Sequence, residues 1–79
     1  MSGNDKPQLT YRAGSVSASV WQNKPDGRRP FHTVRVQRSY RDGEETKYSD
    51  SFTLGDLANV QRVLAKAQEY VEGEDMVVS

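Results

Sequence analysis

Seventy-nine residues are enough for one domain with a modest core and leave no room for a second core. Cysteine is absent and His32 is the only histidine, which excludes disulfides, thiolate metal sites, thiol nucleophiles and a conventional histidine metal cluster. Eleven basic and eleven acidic side chains cancel, but residues 15–48 carry seven basic against four acidic groups and residues 49–79 carry two against six, so a basic half precedes an acidic one.

With disulfides and metals removed, self-association is the remaining way to reinforce so small a core, and a homodimer is expected. Residues 1–8 are polar and contain no apolar run, so no signal peptide is predicted. No stretch approaches the roughly 20 apolar residues of a membrane span. A cytoplasmic protein without a membrane partner follows.

Residues 1–13 read as a flexible N-terminus, with a short edge strand over Leu9-Thr10-Tyr11-Arg12 ended by Gly14. From Ser15 to Gln22 the chain alternates, with Val16, Ala18 and Val20 on one side and Ser17, Ser19 and Trp21 on the other. That is a half-buried antiparallel strand. Residues 23–30 hold two prolines and an Asp-Gly pair and read as a loop. Phe31 to Tyr40 alternates again: Val34, Val36, Arg38 and Tyr40 share one face, and Phe31, Thr33, Arg35 and Gln37 the other.

Arg41-Asp42-Gly43-Glu44 is a hairpin signal, and Thr46 to Phe52 is the return strand. Two registers come into question. A two-residue loop pairs Arg41 with Glu44, while a three-residue loop with a glycine bulge sets Phe52 beside Val34. The second buries more apolar surface and is the expected one; it turns Lys47, Ser49 and Ser51 outward. Thr53 is placed to cap a helix, with Asp56 in the capping-box position and Phe52 and Leu57 as a hydrophobic staple. Leu54, Leu57, Val60, Val63, Leu64, Ala67, Tyr70 and Val71 then recur at helical spacing up to Gly73. This stripe is wide for one small sheet, so Val60, Val63, Ala67 and Tyr70 are expected to meet a second copy. Residues 74–79 form an acidic and apolar tail.

The expected architecture is α+β: an antiparallel sheet of three to four strands followed by one C-terminal helix, within a single domain over residues 14–73. Catalysis is not expected. His32 is the only base available to a serine or threonine, and its place at a strand start predicts a satisfied hydrogen bond. The acids fall in turns, at a helix cap and on a helix end, and no Gly-rich phosphate loop occurs. No cofactor and no small-molecule substrate are indicated. The outward face of the sheet gathers Trp21, Phe31, Arg35 and, in the expected register, Lys47. Rings on which bases stack, beside cations that neutralise phosphates, suit a single strand of nucleic acid. Lys24, Arg28 and Arg29 in the long loop extend the cationic track. The alternative is a protein-interaction module whose sheet face or edge takes a partner peptide by strand addition, with Trp21, Phe31 and Tyr48 as anchors, or an accessory subunit of a larger complex.

The run Val16-x-Ala18-x-Val20-Trp21, then Val34-x-Val36-x-Arg38-x-Tyr40-x-Asp42-Gly43-Glu44, then Phe52-x-Leu54 entering a helix, resembles the single-stranded-DNA-binding domain of the eukaryotic positive-cofactor transcriptional coactivators. Whirly proteins share that general fold, and small bacterial proteins share the Trp-x-Asn, Arg-x-Tyr and Ser-Phe features. The resemblance spans roughly residues 15–72. It implies a curved sheet followed by one helix, a dimer, and binding of single strands (DNA before RNA) in transcription, replication or repair. By position it implies contacts from Trp21, Arg35, Arg38, Tyr40 and Lys47.

Overall fold

The computed structural model describes residues 6–75. Four strands, β1 (Leu9–Ala13), β2 (Val16–Asn23), β3 (Phe31–Asp42) and β4 (Glu45–Ser49), are followed by a 3-10 turn (Leu54–Asp56) that runs directly into the helix α1 (Leu57–Asp75). The sheet is an antiparallel meander in the order β1-β2-β3-β4. This is the α+β architecture expected, with four strands. Leu9–Ala13 is a full member of the sheet, so the ordered domain begins before residue 14. The helix runs through Gly73 to Asp75, so residues 74 and 75 belong to it; residues 76–79 of the expected tail lie outside the described residues.

Two hairpins share one design. Ala13 pairs with Val16 around Gly14-Ser15, and Asp42 pairs with Glu45 around Gly43-Glu44. In each, glycine occupies the first central position with φ of 62° or 68°, and the next residue has no positive φ, which is the pattern of a type II′ turn. This corrects the expected register of β3 and β4. Neither the Arg41–Glu44 pairing nor the glycine bulge occurs, because the turn sets Gly43, not Asp42, at the position that needs positive φ. β4 then ends at Ser49, and Phe52 leaves the sheet to pack on the core beneath the helix instead of lying beside Val34.

α1 lies across one face of β1, β2 and β3. Val16, Ala18 and Val20 of β2 are buried there with Val63 and Ala67 of α1, and Tyr11, Ala13, Val36, Phe52, Val60, Tyr70 and Val71 surround them. The period-two and period-3.6 patterns thus meet as read from the sequence. Of the helix residues expected at a dimer seam, two lie in the chain's own core and two are partly buried beside it. Val63 and Ala67 are 2% and 0% exposed, and Val60 and Tyr70 pack on the same cluster, so these four face the chain's own sheet.

The turn into the helix is fastened as the sequence indicates. Thr53 donates its N–H and its hydroxyl to Asp56 Oδ2, both at 2.9 Å, and Asp56 N–H donates to the Thr53 carbonyl. At the far end of the helix Gln8, Gln22, His32 and Tyr70 form a polar cluster. His32 Nε2 lies 3.0 Å from Gln8 Oε1, and its ring meets Tyr70 edge-on at 6.0 Å. His32 has the satisfied hydrogen bond expected of it.

Candidate nucleic-acid interface

Residues paired across antiparallel strands project on the same side of the sheet. The registers therefore fix the face away from α1. Its rows are Arg12, Ser17 and Gln37; Thr10, Ser19 and Arg35; Trp21 and Thr33; Asn23 and Phe31; Ser39 and Tyr48; Arg41 and Thr46. Three arginines and three aromatic rings stand on this face, and none of its fourteen paired positions is a carboxylate. No described element packs on it. Phe31 is 47% and Tyr48 59% exposed; Arg12, Thr33 and Arg35 are exposed and Trp21 is half-buried.

Short contacts hold parts of this wall in place. Asn23 Nδ2 donates to Thr33 Oγ1 at 3.2 Å, and the hydroxyls of Thr10 and Ser19 are 3.1 Å apart. Trp21, Asn23, Thr33, Val34 and Arg35 enclose a shallow depression, and Asn23, Lys24, Pro25 and Phe31 enclose a second one beside it. The sequence-predicted residues Trp21, Phe31, Arg35 and Lys24 are thus brought together. Arg28 and Arg29 are exposed in the adjoining loop, where Arg28 N–H donates to the Pro25 carbonyl at 3.3 Å.

Arg38, Tyr40 and Lys47 are not part of this wall. Arg38 pairs with Ser49 and Tyr40 with Lys47, so all of them project to the helix side. There Arg38 Nε donates to the Ser51 carbonyl at 3.2 Å, lies 3.3 Å from Asp56 Oδ2, and its guanidinium stands 5.6 Å from the Tyr40 ring centre. Lys47 Nζ is 2.9 Å from Asp42 Oδ2. Arg38 thus braces β3 against the segment that enters α1, while Lys47 is paired within the β3–β4 hairpin. The hydrogen bonds from the Thr53 backbone and hydroxyl, with a smaller contribution from the Arg38 charge, hold the Asp56 carboxyl below its ordinary value of 3.8.

Reading the sequence alone missed Arg12 and Arg41 on the open face and placed Tyr48 there only as an anchor of the alternative, peptide-binding reading. Arg12 follows from parity once β1 is accepted as a strand, since Arg12 stands across from Ser17. Tyr48 depends on the hairpin register and had no independent signal. Comparison with protein families, with curated proteins and with solved structures finds no match to this chain.

Proposed function

We propose that this protein binds single-stranded nucleic acid on the face of the sheet opposite α1, and that it does so as a homodimer. The observation that carries the reading is the segregation of charge by face. Arg12, Arg35 and Arg41 share the open wall with Trp21, Phe31 and Tyr48, and the strand carboxylates Asp42 and Glu45 point the other way. A chain of zero formal charge then presents a local surface that attracts phosphates. Bases have three rings on which to stack, at about 1–3 kcal/mol each, and Thr33, Asn23 and Ser19 offer hydrogen bonds without imposing a sequence. The sheet-then-helix order agrees with the resemblance to the positive-cofactor coactivators, which supports DNA as the first ligand to test. The self-association half of the reading rests on the small buried cluster of five residues.

Trp21 is the only tryptophan, so its emission reports on the site directly. Titration with oligo-dT at low salt is expected to quench Trp21 fluorescence and to shift the amide resonances of β2 and β3. Unchanged emission together with unmoved open-face amides would end the nucleic-acid reading.

A further inference from the structure

β3 is 12 residues long, but β4 pairs with it only from Arg38 to Asp42. Over residues 31–37 no described strand lies on the β4 side of β3. Instead Val34, Val36 and Gln37 face Tyr48, Ser49 and Asp50 across a cleft where β4 has turned away. The phase of this stretch is fixed by one bond. Ser39 N–H donates to the Ser15 carbonyl on the β2 side, so by alternation Val34 and Val36 direct their N–H and C=O groups outward into the cleft. Val34 is 37% exposed, and residues 31–37 hold no lysine and no internal proline; the single charge on this edge is Arg35.

We infer that this edge is completed by the same edge of a second copy, two β3 strands pairing antiparallel about a two-fold axis through Val34. The gap is seven residues wide and the segment that fills it is the same seven. Pairing about Val34 sets outward-directed residues against each other, Val34 on Val34 and Val36 on His32, as an antiparallel ladder requires. It sets Arg35 against Thr33 and so opposes no two like charges. The other two edges are poor alternatives. β4 is five residues long and mostly charged or exposed. β1 is likewise only five residues long, and Arg12, Arg62 and Lys66 line its flank. The pairing joins two sheets into one, with both helices on one side and both open walls, each with its Trp21 and Arg35, on the other. The interface deepens the self-association proposed above and stands independently of the nucleic-acid half of that reading.

The test is sedimentation of the full chain without nucleic acid, beside two kinds of variant. Wild type is expected to sediment as a dimer. Val34→Lys, which opposes two ammonium groups at the axis and places its charge at a site already 37% exposed in the single chain, is expected to raise the dimer dissociation constant by at least about tenfold with unchanged far-ultraviolet circular dichroism. Because the chain has no native cysteine, Val34→Cys on its own is expected to cross-link under mild oxidation, since paired antiparallel positions lie about 5.5 Å apart at Cα, within disulfide range. Glu44→Cys at the hairpin tip is expected to stay uncross-linked. A monomeric wild type at high micromolar concentration overturns the inference, as does a dimer that ignores Val34→Lys or that cross-links no better through residue 34 than through residue 44. Since no oligonucleotide is present, none of these outcomes depends on whether the open face binds DNA.

Discussion

Arg35 and Arg38 sit three positions apart on one strand, and the pleat gives them opposite occupations. Arg35 stands exposed beside Trp21 and Thr33, whereas Arg38 is spent on Ser51, Asp56 and the Tyr40 ring. Charge reversal on the two faces should therefore separate binding from folding. Arg35→Glu is expected to abolish measurable oligo-dT binding at moderate salt while leaving the melting temperature nearly unchanged. Lys47→Glu, on the helix side beside Asp42, is expected to leave binding within about twofold, because exposed ion pairs contribute little and this one is off the wall. Trp21→Ala should weaken binding by the stacking contribution of one base, about 1–3 kcal/mol, or roughly five- to 150-fold. Equal effects of Arg35→Glu and Lys47→Glu in a fluorescence or anisotropy titration would point to non-specific charge attraction and against the wall as the site.

Asp56 gives the residue scale its pH dependence. Its folded-state pKa lies below the ordinary value of 3.8, so its bonds to Thr53 contribute stability at pH values above that figure and lose it as pH falls through the depressed value. Wild type is thus expected to lose melting temperature on acidification below about pH 4, and Asp56→Asn to show a shallower loss over the same interval, read by circular dichroism melts at closely spaced pH values.

At the scale of elements, the two type II′ hairpins set where each strand begins, and the glycine in each differs in its surroundings. A Cβ added at Gly43 meets nothing within 4 Å, whereas one at Gly14 would stand 2.9 Å from Asn59 Nδ2 on the helix. Gly43→Ala is expected to cost about 1–2 kcal/mol from its positive φ alone. Gly14→Ala is expected to cost more, by moving Asn59, and the difference should appear as a lower melting temperature at about 4–8 °C per kcal/mol. Similar melting temperatures for the two would show that the Gly14–helix contact is soft. The elements themselves were legible from their periods: Val16, Ala18 and Val20 alternate, Val63 and Ala67 recur one turn apart, and Thr53 with Asp56 marks the helix entry. What stayed hidden is set by contacts distant in sequence. The β3–β4 register hinges on which residue takes positive φ, and a shift of one residue exchanges Lys47 for Tyr48 on the open face. The helical stripe is apolar enough to suggest two partners; the sheet takes up Val60, Val63, Ala67, Tyr70 and Val71, and Leu54, Leu57 and Leu64 stay 86%, 42% and 40% exposed.

At the scale of the whole fold, the described residues measure 47 × 29 × 16 Å, a thin two-layer slab with the open wall on one side. In such a shape the sum of charges says little about binding, because the strand carboxylates Asp42 and Glu45 lie behind the sheet while Arg12, Arg35 and Arg41 lie in front of it. Counterion release makes this measurable. A single strand loses about 0.7 in logarithmic slope of affinity against salt for each phosphate neutralised. Arg12, Arg35 and Arg41 on the wall, with Lys24, Arg28 and Arg29 in the adjoining loop, would neutralise up to six phosphates and give a slope near −4, whereas a neutral surface gives a slope near zero. Arg41→Gln should lower the slope by about 0.7 and weaken all sequences alike, since phosphate contacts carry no sequence information. Affinity for oligo-dT that persists unchanged from low to high salt would mean that the arginines do not face phosphates, and the ring systems alone would then have to account for the binding.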